Sequence, residues 1–106
     1  MNKKSPVSRR LKEARLEAKL SQKQLGIAIG VDQFVASPRL NQYETGKHAP
    51  GFDVVKKIAE VLRVSTSFFY TDDNELAELI KIYGQISKKE RRQLVSFAKQ
   101  FLNNQN

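Results

Sequence analysis

The apolar residues of this 106-residue chain recur at intervals of three and four along its whole length. That spacing places them on one face of successive α-helices. No stretch alternates apolar and polar residues for long enough to indicate a strand. Because glycines, prolines and capping residues divide the pattern into helical segments, the sequence predicts an all-α fold, with five helices in residues 1–70 and a helical pair in residues 71–106.

Capping residues predict where the first two helices begin and end. Ser5 and Pro6 suit the N-cap and first position of one helix, and Ser21 with Gln24 has the pattern of a capping box at the start of the next. Gly30 is expected to end this second helix in the left-handed conformation. The inner face of the second helix is predicted to consist of Leu25, Ala28 and Ile29.

The start of the third helix has two interpretations. Ser37 followed by Pro38 suits an N-cap and a first helical residue, and a helix from there would run to about Thr45 and stop at Gly46. A bent helix from Asp32 is the alternative, although Pro38 would interrupt it. We prefer the start at Ser37.

The expected roles of the residues just before Ser37 depend in part on where the third helix begins. If a bent helix begins at Asp32, Gln33 becomes a candidate for contact with a base or a phosphate. Phe34 and Val35 are expected in the core in either case.

The remaining helices are also delimited by capping patterns. A fourth helix is expected from Asp53 or just before it, and a short fifth segment, 65–70, should bring Phe68 and Phe69 into the core. Residues 71–74 form a polar connector with Asp73 and Asn74 as cap candidates. Residues 87–90 have the sequence of a second capping box, which opens the last helix.

The net charge of +8 indicates a polyanionic partner. The excess is uneven, since residues 1–70 hold 13 basic and 6 acidic side chains, whereas residues 71–106 hold 6 and 5. The partner, most simply double-stranded DNA, should therefore meet the N-terminal two-thirds of the chain.

Several classes of function are excluded by residues that are missing. The chain has no cysteine and one histidine, His48, so we expect no thiol chemistry, no metal site and no cofactor. His48 has neither a nucleophile nor a paired acid beside it, and we predict that the protein is not an enzyme. Because the sequence contains no secretory signal and no membrane-spanning apolar run, we expect a soluble, cytoplasmic chain.

Two glycines four residues apart carry a more specific pattern. Gly26 falls where the second helix should meet the third and where a side chain would hold the two apart. Gly30 falls where the following turn needs a positive φ. Together with Leu25, Ile29 and the capping signals around them, this pair indicates two closely packed helices joined by a turn.

These residues resemble the lambda-repressor-like, Cro/XRE family of helix-turn-helix DNA-binding domains. The resemblance covers about residues 7–70, and it is carried by Arg15 and by segments 20–31, 42–50 and 54–65. By this resemblance, Arg15 and Glu44 form a buried ion pair that ties the first helix to the end of the recognition helix. Compared with the usual family pattern, segment 30–44 is longer by about four residues.

The resemblance implies that the third helix lies in the major groove of DNA with its N-terminal part facing base edges. Arginine can bond bidentately to guanine and glutamine to adenine, and proline methylenes can pack on a thymine methyl group. Tyr43 is expected mainly in the core. The predicted base-contacting residues are Ser37, Pro38, Arg39, Asn41 and Gln42.

Contacts with phosphates need donors but no base-specific geometry. Gln22 lies in the first turn of the second helix, where the family uses the matching glutamine to hold the DNA backbone. The predicted phosphate-contacting residues are Gln22, Lys23, Lys47 and His48, with Lys3 and Lys4 as weaker contributors.

The C-terminal pair has more apolar surface than two helices can hide on each other, so it should cover the domain or a second copy. We therefore predict a sequence-specific transcriptional regulator, typically bacterial or phage-encoded, that represses as a homodimer on a palindromic operator. One alternative is the antitoxin of a toxin–antitoxin pair, which would bind a toxin through residues 71–106. Another is a protein-interaction module that has lost DNA binding.

Overall fold

The computed structural model describes residues 5–104, and all the regular structure in that range is helical. The all-α prediction is therefore confirmed. The helices, in chain order, are α1 (Val7–Glu17), α2 (Gln22–Ala28), α3 (Ala36–Thr45), α4 (Phe52–Leu62), α5 (Thr66–Phe69), α6 (Asn74–Gln85) and α7 (Lys88–Asn103).

One hydrophobic core lies between α1, α2, α3, α4 and α5. Each of these helices contributes side chains that are almost fully buried, such as Leu11, Leu25, Leu40, Ile58 and Phe69. Phe68 and Phe69 meet edge to face with ring centroids 5.4 Å apart, which confirms that the short fifth helix belongs to the core. The core fixes α2 and α3 as a rigid pair.

Most of the predicted capping chemistry is present. Ser21 and Gln24 form a reciprocal capping box at α2, and Ser87 and Glu90 form another at α7. Asp73 caps α6 by accepting hydrogen bonds from two backbone N–H groups. These caps satisfy donors that a helix leaves unpaired at its start.

Two predicted details near the first helices differ from the structure. Pro6, not Ser5, is the N-cap residue of α1, although the Ser5 hydroxyl still accepts a hydrogen bond from the Val7 N–H at 3.3 Å. Ala28 is exposed, so its assignment to the inner face of α2 is wrong. The buried face consists of Leu25, Gly26 and Ile29, because α2 packs against α3 through its glycine side.

Gly26 allows α2 and α3 to approach closely, as the sequence predicts. A Cβ atom added at Gly26 would lie 2.7 Å from the Cβ and 3.0 Å from the Cα of Ala36. Real Cβ atoms are not found this close to other carbon atoms, so any side chain here would push the two helices apart.

Four residues adopt a positive φ within the described part of the chain. Gly30 and Gly46 do so after α2 and α3, at φ of 95° and 80°, in agreement with the predicted helix ends. Lys19 and Arg63 do so after α1 and α4, at 59° and 57°. A non-glycine residue in this conformation costs at most about 1–2 kcal/mol, so neither position prevents the fold.

Arg10 joins α6 to the rest of the domain. Its side chain is 3% exposed, and its guanidinium donates to the carbonyl oxygens of Thr71 and Asp72, both at 2.8 Å, and to Asn74 Oδ1 at 2.9 Å. The guanidinium also lies 5.6 Å from the centroid of the Phe68 ring. We call this set of contacts the Arg10 clamp.

Further contacts hold α6 against the core, whereas α7 is joined to α6, where the Arg91 guanidinium donates to the carbonyl oxygens of Tyr83 and Gly84 at 2.7 Å and 3.3 Å. Ala77 of α6 is buried in the core, and Lys81 Nζ lies 2.5 Å from Glu17 Oε1 of α1. In contrast, none of the residues of α7 is buried. The radius of gyration is 16.2 Å, whereas a compact domain of this length has about 13 Å. The extension of α7 away from the core accounts for this shape.

Candidate DNA interface

The two sides of α3 have opposite character. Ala36, Leu40 and Tyr43 are buried against the rest of the domain, which confirms the prediction that Tyr43 belongs to the core. On the other side of the helix, Pro38 and Asn41 are exposed. Helix α3 is therefore anchored by three side chains and presents a mostly polar surface outward.

A buried ion pair anchors the C-terminal end of α3 to α1. Arg15 Nε lies 2.5 Å from Glu44 Oε2, and Arg15 Nη2 lies 3.0 Å from Glu44 Oε1. The third guanidinium nitrogen donates to the carbonyl oxygen of Leu20 at 2.8 Å. Both side chains are at least nine-tenths buried. The hydrogen bond and the charge of Glu44 raise the pKa of Arg15 above its ordinary value against the opposing effect of burial.

Gln22 extends this network from α2 to the outer surface of α3. Its Nε2 atom donates to Glu44 Oε1 at 3.1 Å and to Asn41 Oδ1 at 3.3 Å, and its Oε1 atom accepts from Ser37 Oγ at 3.4 Å. The side-chain amide of Gln22 therefore has three partners. It fixes the orientation of Ser37 and Asn41 relative to α2.

The predicted base-contacting residues divide into two groups. Ser37 and Asn41 are brought together by Gln22, at the side of α3 that faces the start of α2. Pro38 and Arg39 lie further round the helix, and Gln42 is half-buried. Within residues 5–104, the Arg39 side chain takes part in no hydrogen bond or ion pair, so its guanidinium is available to a partner. Contact of these residues with DNA stays a prediction.

The predicted phosphate-contacting residues lie at both ends of this surface. Lys23 is exposed in the first turn of α2, and Lys47 and His48 are exposed in the turn after α3. That turn is fixed because the His48 N–H donates to the carbonyl oxygen of Gln42 at 3.2 Å. Lys3 and Lys4 lie outside the described residues.

The front of α3 differs from its predicted form. The helix begins at Ala36 and its N-cap residue is Val35, so the assignment of Ser37 as N-cap and Pro38 as first helical residue is wrong. Ala36 takes the buried position opposite Gly26, which places Ser37 and Pro38 inside the first turn. Pro38 is tolerated there because the first turn of a helix has no intrahelical partner for its N–H groups.

Residues 32–35 form a tight turn and not the start of a bent helix. Phe34 is 83% exposed and Val35 is 45% exposed, so the expectation that they join the core is wrong. Gln33 is exposed in the same turn. The close packing of Ala36 on Gly26 leaves no room for larger side chains between the helices, and the turn therefore projects outward.

The role of Arg10 and the exposure of Phe34 were not predicted from the sequence. Arg10 lies on the apolar stripe of α1, three residues after Val7, and a charged residue at such a position is a signal of a buried polar group. Phe34 carried no comparable signal, because an apolar residue between two helices is usually buried.

Within residues 5–104, no group of three or more acidic or histidine side chains is arranged to hold a metal ion. Each of the helices in that range is too short or too polar to traverse a lipid bilayer.

Comparison with known proteins identifies the class to which this fold and this surface belong. Residues 11–69 match the model of a helix-turn-helix family of the Cro/C1 type, and the chain belongs to that family. The resemblance to the lambda-repressor-like domains is thus confirmed.

One solved structure resembles the chain well beyond the family match. It is the crystal structure of the transcriptional regulator BswR, with 40% sequence identity and a TM-score of 0.88. The alignment covers 93% of this chain and 98% of that chain, so it extends into the C-terminal helices. A comparison with curated proteins gives no match.

Proposed function

We propose that this protein is a DNA-binding transcriptional regulator that represses by occupying a palindromic operator as a dimer. The observation that carries the proposal is the anchored α3, whose buried side and ion pair leave Ser37, Pro38 and Asn41 exposed on one side of a rigid helix and Arg39 exposed further round it. Family membership and the likeness to a transcriptional regulator support the same conclusion.

The first turn of α3 enters the major groove in this proposal. Arg39, which has an unoccupied guanidinium, can donate to O6 and N7 of one guanine. Gln42 can form the corresponding pair of hydrogen bonds with adenine. Each such pair discriminates against a wrong base by about 1–3 kcal/mol.

Contacts with the DNA backbone set the position of α3. Lys23 and Lys47 approach phosphates at opposite ends of the α2–α3 pair. The amide of Gln22 can add a phosphate contact by exchanging its hydrogen bond with Asn41 for one with the DNA, which would also release Asn41 toward the bases. Lysine contacts carry little sequence information, since every phosphate offers the same oxygens.

Residues 71–106 provide the dimer interface in this proposal. Helix α7 exposes Val95, Phe97, Phe101 and Leu102, at 45%, 57%, 59% and 68%, and buries none of its residues. An amphipathic helix without a buried face gains little stability from its own chain, so a partner is needed to cover it.

Charge favours a second copy as that partner. The outer surface of α6 combines Leu79 and Ile82 with Asp73, Glu75 and Glu78, whereas a groove beside α7 combines Val95 with basic side chains. The basic residues of that groove are Lys88, Arg91, Arg92 and Lys99. A two-fold axis would place the acidic α6 of each copy against the basic α7 of the other, which makes both contacts complementary.

Repression follows from occupancy. Two copies of α3 related by two-fold symmetry read half-sites about 34 Å apart on one side of the duplex. A dimer bound over a promoter would exclude RNA polymerase from the same stretch of DNA. No enzymatic activity is needed for this mechanism.

The test is an unbiased selection of genomic DNA fragments by the full-length protein. We expect enrichment of one palindromic sequence. Gln42→Ala should relax the preference at one position of each half-site, because a base contact is lost. Lys47→Ala should weaken binding to all sequences alike and should lower the salt dependence of the logarithm of affinity by about 0.9 per phosphate contact.

Lys57→Ala is the matched control, since Lys57 is an exposed lysine on α4 that has no predicted role in the interface. The proposal would be wrong if the wild-type protein enriched no sequence, or if the Gln42 and Lys47 variants behaved like the control.

A further inference from the structure

The most exposed large apolar side chain in residues 5–104 is Phe34, at 83%, and it lies directly before α3. It contributes nothing to the core, where a phenylalanine usually stabilises a fold. The surrounding turn therefore holds an apolar ring in water at the front of the helix that is proposed to enter DNA.

The turn holds Phe34 in a fixed position relative to α3. Asp32 Oδ1 accepts a hydrogen bond from the Phe34 N–H at 2.8 Å, and the carbonyl oxygen of Asp32 accepts from the Val35 N–H at 3.1 Å. The carbonyl oxygen of Val35 in turn accepts from the Arg39 N–H at 3.0 Å. These hydrogen bonds connect the turn to the helix without a break.

Phe34 precedes the exposed side of α3. Pro38, Asn41 and Thr45 are spaced by three and four residues, which places them on one side of α3, and Phe34 lies in the turn just before that helix. All four are exposed. This exposed side of α3 lies opposite its buried residues. Phe34 and Pro38 are exposed apolar residues at the start of an otherwise polar surface.

In the major groove, the 5-methyl group of thymine is the apolar group that the base edges offer. Phenylalanine and proline rings can pack on it but cannot form hydrogen bonds with the other base edges. We infer that Phe34, together with Pro38, contacts a thymine 5-methyl group in each half-site and so specifies a thymine there. This inference rests on the proposed function.

The test replaces thymine by deoxyuridine, which differs only in lacking the 5-methyl group. The operator obtained by the genomic selection would be synthesised with each thymine replaced in turn, and affinity would be measured by fluorescence anisotropy at one salt concentration. We expect one thymine per half-site at which the replacement weakens binding about fourfold, the fold-change that corresponds to burial of one methyl group.

Phe34→Ala should weaken binding to the thymine operator and should no longer distinguish thymine from deoxyuridine at that position. Phe52→Ala is the matched control, because Phe52 is also exposed, at 59%, but lies at the start of α4; it should keep the full discrimination. Thermal unfolding would verify that both variants fold, as expected for exposed side chains.

Two results would overturn the inference while the proposed function stands. Either no thymine is sensitive to the replacement, or Phe34→Ala keeps the discrimination between thymine and deoxyuridine. If the variant keeps the discrimination but weakens binding to both operators equally, Phe34 makes a contact other than one with a methyl group, such as insertion of the ring between bases. Failure of the wild-type protein to select any operator would overturn the proposed function and the inference with it.

Discussion

Gly26 shows how a single residue sets the distance between α2 and α3. The Cβ and Cα atoms of Ala36 occupy the space that a side chain at position 26 would need. Gly84, in α6, has no neighbouring atom within 4 Å of the corresponding point. Both glycines lie in helices, but a side chain would collide with a neighbouring helix at Gly26 and would meet open space at Gly84.

Alanine substitutions should separate these two cases. Gly84→Ala should raise the free energy of unfolding by up to about 1 kcal/mol, because alanine favours the helix. Gly26→Ala gains the same helix preference but overpacks the contact, which typically costs about 1–3 kcal/mol, so it should lower the free energy of unfolding. Urea denaturation measures both, and a gain in stability for Gly26→Ala would contradict the packing described here.

The ion pair between Arg15 and Glu44 allows a second test at the residue scale. Glu44→Leu leaves the guanidinium of Arg15 buried without its partner and should cost about 3–5 kcal/mol. Lys81→Met is the control, because it removes the ion pair between Lys81 and Glu17, which has the same length of 2.5 Å but in which Glu17 is 62% exposed. This substitution should lower the free energy of unfolding by less than about 1 kcal/mol. The double variant Arg15→Met/Glu44→Leu should recover much of the loss. If Glu44→Leu and Lys81→Met lowered the midpoint of thermal unfolding equally, burial of the ion pair between Arg15 and Glu44 would have no special structural role.

The structural role of a residue could be predicted from its type at some of these positions and not at others. Gly26, Gly30 and Tyr43 were predictable because a close approach, a positive φ and an apolar stripe each require a restricted set of residues. Phe34 was not, since its exposure depends on how Ala36 packs against Gly26, which is a contact between two helices. The burial of Arg10 can be predicted only if a charged residue on an apolar stripe is interpreted as a buried hydrogen-bond donor.

At the scale of the elements, helices with caps were predicted well and α3 was not. Ser21, Asp73 and Ser87 each accept hydrogen bonds from backbone N–H groups at the start of a helix, and the sequence identifies them directly. Helix α3 begins at Ala36 without a side-chain cap. Its start is determined by tertiary packing, and the local signal of Ser37 and Pro38 is overridden.

The capping box of α7 should respond to pH. The hydrogen bonds that Glu90 accepts from the backbone and side chain of Ser87 lower its pKa below the ordinary value of 4.5. A lowered pKa in the folded state means that the carboxylate stabilises the helix above pH 4.5, and that this contribution is lost as the pH falls through the folded-state pKa. We expect the carbon-13 shift of the Glu90 carboxyl to titrate with a midpoint below 4.5, and Ser87→Ala to move the midpoint upward. An unchanged midpoint in the variant would show that the Ser87 hydroxyl does not lower the pKa of Glu90, and a wild-type midpoint at or above 4.5 would contradict the assignment of the capping box.

At the scale of the whole molecule, α7 is notable because none of its residues is buried. The proposed dimer predicts that this surface controls the oligomeric state. Phe101→Asp should convert the dimer to a monomer in analytical ultracentrifugation, because a charge would be buried in the apolar contact. Phe52→Asp introduces the same charge at a phenylalanine of equal exposure, 59%, and should leave the dimer intact. A wild-type monomer at high concentration, or dimers in both variants, would contradict the proposed interface.

The Arg10 clamp has a consequence for the DNA sequences that such a dimer can occupy. By holding residues 71–74 against α1, it fixes the direction in which α6 leaves the domain. In the proposed dimer, that direction determines how far apart the two copies of α3 stand, and hence the number of base pairs allowed between half-sites. A chain with a loosened clamp would tolerate spacers of several lengths, so one guanidinium far from the bases would restrict which sites in a genome the protein can use.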